Sequence, residues 1–229
     1  MSIVLLRLEG PLQSWGVDSR YDVRATRPEP TKSGVLGLVS AALGRDREDD
    51  VSDLAALRFG VRSDRPGRII RDYHTAQNIV SADAADKRRS VISERYYISD
   101  ACFLGALEGA HAIIQQIHAA LARPAVALSL GRRSCPPSTP VHVPGGLLAG
   151  SLGDVLRTWP LLSPGLRAPR EGENVSPVRL RVAIESDLDG ADHIQADQPV
   201  GRAFRERSFR PRGVRVEYIE PPRSASEGR

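Results

Sequence analysis

The sequence predicts an α+β fold, and three of its features carry that prediction. Apolar, strand-like segments alternate with two amphipathic helical segments over the first 135 residues. A polar and basic stretch, residues 66–98, interrupts this alternation and contains a small-residue tip, SADAADKRRS, which favours a protruding β-hairpin. After Pro136 the chain is rich in proline and glycine and holds two further segments with β alternation. We therefore predict a main domain over residues 1–140 and a smaller β-rich region over residues 141–222.

The first half of the main domain is predicted to contain a strand, a loop, a helix and a second strand. The segment SIVLLRLEGP predicts a strand that ends at Gly10-Pro11, and residues 11–30 lack a clear period and predict a long loop. The segment TKSGVLGLVSAALG predicts a helix, because a hydroxyl residue can cap its start, its apolar residues recur at helical spacing and Gly44 ends it. The segment DLAALRFGVRSD predicts a short helix that leads into a strand.

The second half repeats this order after the hairpin of residues 66–98, whose tip is predicted to be disordered. The segment DACFLGALEG predicts a buried strand, GAHAIIQQIHAALARP a helix that stops before Pro124, and AVALSLG another strand. The complete order is the split βαββαβ pattern of the ferredoxin-like or RRM-like fold. In the C-terminal region VRLRVAIES and GVRVEYIE predict strands, and the tail, residues 223–229, has the composition of a disordered segment.

Composition excludes several classes of protein. The apolar runs are too short and too rich in glycine to span a bilayer, and the first residues carry no secretory signal, so we expect no membrane partner and a cytoplasmic location. Cys102 and Cys135 show no metal-ligand spacing, and neither do the five histidines, so we expect no disulfide framework, no metal and no cofactor. The net charge is +4. Residues 201–215 hold six arginines against Glu206 alone, which suits phosphate contacts, although such a run is more often a solvated face.

Four segments have residue types suited to binding a phosphate-bearing ligand. In GPLQSWG two glycines permit close backbone approach, and the amide and the indole ring can bind and stack. In RPEPTKSG a helix begins, and its free N–H groups and a lysine suit phosphate. RDYHTAQ and LGRRSCPP add arginine, tyrosine and histidine. The candidate binding residues are Gln13, Trp15, Arg27, Lys32, Ser33, Arg71, Tyr73, His74, Arg132, Arg133 and Ser134.

Each of these residues also has an ordinary structural interpretation. Trp15 on its own is more often part of a core than a stacking surface. Tyr73 and His74 can form a hydrogen-bonded pair where two domains meet. Arg132 and Arg133 can form ion pairs with carboxylates.

Six segments, taken together in their order and spacing, resemble a known family. They are LRLEGPLQSWG, PTKSGVLGLVSAALGR, LRFGVRSDRPG, RDYHTAQ, ERYYISDACF and LGRRSCPPSTP. They resemble the CasD-type subunit of the type I-E CRISPR Cascade complex over roughly residues 3–140. Residues 141–229 resemble the family only loosely, through their length and the basic segment FRERSFRPRG.

The resemblance implies a RAMP-type RNA-binding protein that consists of a ferredoxin-like domain, a β-hairpin thumb and a smaller β-rich C-terminal part. It implies that the protein grips the 5′ handle of the CRISPR RNA and caps the backbone of a hetero-oligomeric complex. The thumb would contact the neighbouring backbone subunit, and the protein would lie next to the large subunit of the complex. Handle recognition calls for arginines on phosphates and aromatic rings on bases, so we expect the candidate segments to converge. Arg132 and Arg133 would clamp phosphates, with Pro136-Pro137 holding their loop rigid.

Two other functions remain open from the residues alone. Tyr73, His74 and Lys32 are the residue types of a metal-independent endoribonuclease, which needs a base, an acid and a cation at the phosphate. Adjacent strand residues point to opposite faces, which disfavours that site and, with the family resemblance, favours a non-catalytic binder. A structural subunit with only indirect RNA contact is the third possibility. The salt dependence of binding distinguishes it from an RNA-binding subunit, because only direct RNA binding by several arginines must weaken steeply as salt rises.

Overall fold

The computed structural model of the chain describes residues 1–16, 22–81, 84–162 and 178–222. Within these ranges nine strands form one sheet: β1 (Ser2–Gln13), β2 (Val23–Arg24), β3 (Arg58–Arg65), β4 (Arg68–Ser81), β5 (Ala84–Gly109), β6 (His142–Ala149), β7 (Leu180–Ser186), β8 (His193–Pro199) and β9 (Phe209–Ile219). The helices are α1 (Lys32–Ala42), α2 (Ser52–Ala55), α3 (His111–Ala122), α4 (Leu152–Thr158) and α5 (Ala203–Glu206). In the same ranges no helix is long and apolar enough to cross a bilayer.

The sheet is mostly antiparallel, which confirms the α+β class. Its order is β6-β1-β5-β3-β7-β9-β8, with β4 paired to β5 and β2 paired to β5 in parallel. Helices α1 and α3 pack over the larger apolar core on one face, and α4 packs over a smaller core on the other. Alternate residues of β1 enter the two cores, Val4 and Leu6 the larger and Ile3 and Leu5 the smaller. Burial on both faces explains the continuous apolar run at the start of the chain.

The first strand does not end at Gly10-Pro11, as the sequence predicted, but continues to Gln13. Gly10 pairs with Ala101 and Leu12 pairs with Ser99, so the ladder continues on both sides of the proline. A proline lacks only its own N–H group, and neighbouring residues can keep a strand paired when that single donor is not needed.

The predicted strand AVALSLG is not a strand in the structure. Its residues form no regular element, and they run from exposed Val126 (54%) to Leu130, which is buried in the larger core. The segment is tied down at its ends, where Ala125 N–H donates to the Ala42 carbonyl (3.0 Å) and Ser14 N–H donates to the Leu130 carbonyl (3.0 Å). The edge of β1 that does not pair with β5 is occupied instead by β6.

The predicted hairpin is confirmed as β4 and the first part of β5. The predicted strand DACFLGALEG is the second part of β5, which runs without a break from the hairpin into the central sheet. The tip SADAADKRRS (residues 81–90) was predicted to be disordered, but residues 81 and 84–90 belong to β4 and β5. Residues 82–83 lie outside the described residues, as does the tail from residue 223. The two predicted C-terminal strands are confirmed as β7 and β9.

The sheet also connects the two predicted regions of the chain. Strand β7 pairs with β3, with Arg62 opposite Val182, so the C-terminal strands extend the same sheet. The division into domains at residue 140 remains a prediction.

An ion pair is completely buried beneath α4. Arg62 and Asp64 both have 0% exposure, and the Arg62 Nε donates to Asp64 Oδ1 at 2.6 Å. The remaining Arg62 N–H groups donate to the carbonyls of Leu156, Trp159 and Pro160. The guanidinium group therefore joins β3 to the end of α4, and its charge is balanced only by Asp64 among the described residues.

Two histidines meet where α3 packs on β6. The Nε2 atoms of His118 and His142 are 3.2 Å apart, and their ring centroids are 4.5 Å apart. Burial, and secondarily the charge of His142, lowers the pKa of His118 below its usual value of 6.5. The folded protein thus resists placing a proton on His118.

Acid is expected to destabilise the fold through this pair. Below about pH 6.5 the unfolded chain binds a proton that folded His118 does not, so the free energy of unfolding decreases as the pH falls. Urea unfolding at pH 7.5, 6.5 and 5.5 should show this decrease in the wild-type chain and a smaller one in His118→Gln. An equal pH dependence in the two proteins would contradict the assignment to His118.

Candidate nucleic-acid interface

Two of the predicted binding residues, Gln13 and Trp15, lie inside the protein. The Trp15 ring is 1% exposed and belongs to the larger core. Its Nε1–H donates to Gln13 Oε1 (2.9 Å), and the Gln13 amide donates to the carbonyls of Leu8 (3.0 Å) and Ala101 (2.9 Å). Neither side chain presents a surface to a ligand in this structure. Their role here is to hold the end of β1 in place.

The start of α1 is also occupied by protein groups. The Lys32 N–H donates to the Asp197 carboxylate (2.7 Å), so a carboxylate already sits where a phosphate was predicted. The Lys32 ammonium is buried and bonds to both Glu185 oxygens at 2.9 and 3.0 Å. Burial lowers the pKa of Lys32, and the Glu185 carboxylate opposes that shift. Ser33 is half-buried, with its hydroxyl near that of Thr31, which caps the helix by accepting the Gly34 N–H.

The loop that carries Arg132 and Arg133 is packed against the end of β1. Gly131 has a φ of +89°, and a Cβ there would lie 1.8 Å from the Ser14 carbonyl oxygen, so only glycine fits. The Leu130 N–H donates to the Cys135 carbonyl (2.7 Å), which closes the loop. Three of the four segments thus converge as the sequence predicted: GPLQSWG meets LGRRSCPP here, and RPEPTKSG meets GPLQSWG through the Arg27 N–H and the Trp15 carbonyl.

Arg132 is used mainly to hold protein elements together. Its guanidinium group donates to the Tyr96 carbonyl (3.2 Å) and the Arg24 carbonyl (2.7 Å). The same group lies over the Tyr97 ring, 4.7 Å from its centroid. Arg132 therefore fixes β2 and the base of the hairpin to the loop, while the next residues, Arg133 and Ser134, are exposed.

Arg27 lies beside this cluster. Its backbone N–H donates to the Trp15 carbonyl at 2.8 Å, and its side chain is exposed. The sequence analysis missed Arg24, an exposed residue of β2 that Arg132 holds in place. The only feature of the sequence that pointed to Arg24 was the recurrence of arginine in the segment predicted to be a loop. We call the exposed residues Arg24, Arg27, Arg133 and Ser134 the arginine surface.

The hairpin residues lie farther along β4. Arg71 and Tyr73 are both 58% exposed, and the Arg71 guanidinium is 3.6 Å from the Glu94 carboxylate. His74 is exposed as well. Register places Tyr73 opposite Glu94 and His74 opposite Ser93, so the two adjacent side chains lie on opposite faces of the hairpin.

The arginine-rich segment, residues 201–215, is partly neutralised by the protein itself. Arg212 is buried in an ion pair with Asp197 (2.9 Å), and Arg205 pairs with Glu48 (2.6 Å). Its use as a phosphate-contacting surface remains a prediction. Among the described residues there is no group of three or more histidine, cysteine, aspartate or glutamate side chains that could hold a metal.

Comparisons with known proteins agree on one family. The family model described as CRISPR-associated protein (Cas_Cas5) matches residues 3–217. The Cascade subunit CasD of Escherichia coli strain K12 is 38% identical over 158 residues, which are 62% of this chain and 70% of that protein.

Two solved structures are similar over nearly the whole chain. One, described as a crystal structure of a Cas protein, is 43% identical with a TM-score of 0.76, over 97% of this chain and 98% of that one. Another, from a CRISPR RNA-guided surveillance complex, is 30% identical with a TM-score of 0.76, over 96% of this chain and 91% of that one. The protein therefore belongs to the CRISPR-associated Cas5 family, as a CasD-type Cascade subunit of the type I-E system.

Proposed function

We propose that the protein is a non-catalytic RNA-binding subunit that grips the 5′ handle of the CRISPR RNA and caps the backbone of the surveillance complex. The arginine surface carries this proposal. Within the described part of the chain, no ion pair occupies the guanidinium groups of Arg24, Arg27 or Arg133, although carboxylates pair with many other arginines of the protein. Guanidinium groups left without carboxylates and held on a rigid base suit the phosphates of single-stranded RNA.

The predicted binding residues divide into two groups under this proposal. Arg27, Arg133 and Ser134 would contact the RNA directly, with Arg71, Tyr73 and His74 available along the hairpin. The buried residues hold this surface in shape, since their polar groups are already bonded within the protein: they are Gln13, Trp15 and Lys32, with half-buried Ser33 beside them. Arg132 belongs with the second group through its backbone partners.

Further parts of the proposal concern the fold and the partners. The strand order β6-β1-β5-β3, with α1 and α3 over one face, supports a ferredoxin-like arrangement for the main domain. The hairpin would act as a thumb that contacts the Cascade backbone subunit. The protein would also lie next to the large subunit, and the hetero-oligomer would be cytoplasmic. The exposed apolar residues of the hairpin support a protein contact there, and they include Ile69, Ile70, Tyr73, Ile79, Val80 and Ile92.

The geometry disfavours the endoribonuclease. The Lys32 ammonium is buried against Glu185, so it offers no cation to a scissile phosphate. Tyr73 and His74 lie on opposite faces of the hairpin, so they do not face one substrate atom.

The test compares arginine-to-alanine variants of the full chain for binding to repeat-derived RNA that carries the handle. Arg27→Ala and Arg133→Ala should each weaken binding about tenfold at low salt, because a hydrogen bond to a charged group contributes about 1.5 kcal/mol or more. Each should also reduce the slope of log K against log salt by about 0.7. The RNA from these binding assays is also run on a denaturing gel, which shows whether it has been cut.

Arg157→Ala is the matched control. Arg157 is partly exposed, but it lies on α4, which packs over the smaller core on the other face of the sheet, and it pairs with Glu217 at 2.8 Å. Its loss should leave affinity and slope nearly unchanged. Equal losses in all three variants would refute the arginine surface, and metal-independent cutting that is lost in His74→Ala would favour the endoribonuclease.

A further inference from the structure

A cleft of about 390 Å³ opens next to the arginine surface. It lies where β3, β7 and β9 reach the base of the hairpin, and its walls include Pro28, Pro66 and Tyr218. Pro28 directly follows Arg27 in the chain, so one wall of the cleft begins beside the arginine surface.

Strand register places three functional groups side by side in this cleft. Arg62 lies opposite Val182, so the next residue on each strand, Ser63 and Arg181, points to the other face. Arg181 lies opposite Tyr218 on β9. A hydroxyl, a guanidinium and an aromatic ring therefore line one face of three adjacent strands.

The floor of the cleft is fixed and carries a carboxylate. Glu29 is 8% exposed and receives two hydrogen bonds from Arg181, at 2.9 and 3.1 Å. The pKa of Arg181 is raised, first of all by its hydrogen bond with Glu29. The pair is thus a rigid ion pair whose carboxylate keeps lone pairs for another donor.

The Tyr218 side chain has a hydrogen bond with Arg181, but its ring face and the Ser63 hydroxyl remain available to a ligand. Ser63 Oγ is buried without a hydrogen-bond partner in the described part of the chain, and a buried hydroxyl of that kind is unfavourable until something bonds to it. The Tyr218 ring is 60% exposed and offers a flat apolar face.

We propose that this cleft holds one unstacked base of the bound RNA, with the ring on Tyr218 and an exocyclic amino group directed at Glu29. The inference rests on the proposed RNA-binding function and assigns it a base-specific contact. The volume suits a single nucleoside, and apolar walls with polar groups at one end suit a heterocycle that has polar edges and apolar faces. Among the described residues a phosphate has no unpaired cation at the floor, because the Arg181 guanidinium already donates to both Glu29 oxygens. A carboxylate accepts hydrogen bonds from exocyclic amino groups, which cytosine, adenine and guanine carry and uracil lacks.

The experiment uses the full chain and a series of repeat-derived RNAs that each lack one base in the handle. One abasic position should weaken binding to the wild-type protein about tenfold, because stacking on an aromatic ring contributes strongly per base. In Tyr218→Ala the intact RNA and that abasic RNA should bind equally. Ile194→Ala, which removes an exposed apolar side chain from β8, is the control and should keep the tenfold difference.

A second comparison tests the polar floor. Replacing the base at the identified position by uracil should weaken binding to the wild-type protein, and Ser63→Ala should weaken binding of the intact RNA more than that of the abasic RNA. If RNA binds with the expected salt dependence, but Tyr218→Ala abolishes the effect of no abasic position, the cleft inference is wrong and the handle proposal stands. If the protein and its Cascade assembly bind no handle RNA, both are wrong.

Discussion

Replacement of Asp64 by asparagine is expected to lower the free energy of unfolding by about 3–5 kcal/mol, since it removes one partner of a completely buried ion pair. Asp64 accepts two bonds from Arg62, at 2.6 and 3.0 Å, and one from the Leu162 N–H at 2.8 Å. Asparagine keeps the shape of the side chain but not its charge. The Arg62 guanidinium, at 0% exposure, would then be a buried cation without a counter-charge.

Urea unfolding followed by circular dichroism measures this effect, and Asp53→Asn is the matched control. Asp53 pairs with Arg45 through two short hydrogen bonds, but its side chain is 47% exposed. Water screens that pair, so its loss should cost about 1 kcal/mol or less. Similar losses for Asp64→Asn and Asp53→Asn would show that the buried pair contributes no more than a surface one.

Replacement of Gly131 by alanine is expected to have the second large effect, on both stability and RNA binding. The left-handed backbone at φ +89° costs a non-glycine residue about 1–2 kcal/mol. A Cβ placed 1.8 Å from the Ser14 carbonyl oxygen must also push the loop away from β1. Crowding of this kind adds about 1–3 kcal/mol. Because Arg133 follows in the same loop, its displacement should weaken handle binding as well.

Gly201→Ala separates the two contributions. Gly201 also has a positive φ, +54°, but a Cβ there meets nothing within 4 Å. It should therefore show the backbone cost alone and leave RNA affinity unchanged. Thermal or urea unfolding of both variants, with RNA binding measured on the same samples, checks the prediction. The prediction would be wrong if Gly131→Ala lowered the free energy of unfolding no more than Gly201→Ala and left RNA binding unchanged. The loop would then accommodate the added Cβ without moving Arg133.

Local signals in the sequence were sufficient for most of the fold. Helix α1 begins after Thr31, whose side chain caps it, and the hairpin follows from a polar stretch between two apolar strands. The prediction of a strand for AVALSLG was wrong. Its residues alternate as those of a strand do, but the edge of β1 with which it would have paired is occupied by β6. Strand pattern shows which residues can pair but not which segment reaches an available edge.

The candidate site was predictable in its segments but not in its atoms. The sequence predicted correctly that GPLQSWG and LGRRSCPP come together, yet it offered Trp15 and Lys32 as candidate binding residues. Both are buried because their partners, Gln13 and Glu185, complete their hydrogen bonds inside the protein. For Lys32 that partner lies 153 residues away in the chain, and no local pattern reveals such a contact.

The pairing of β1 also has a consequence for synthesis of the chain. In the described structure this strand pairs only with β5 and β6, and Ser2 lies opposite Gly109. During translation β1 leaves the ribosome before its neighbour β5, which follows after roughly 100 residues, or about 5–20 s at ordinary elongation rates. Throughout that interval an unpaired apolar strand is exposed to aggregation. Slower collapse and a dependence on chaperones or co-translated partner subunits are therefore expected when the chain is expressed alone.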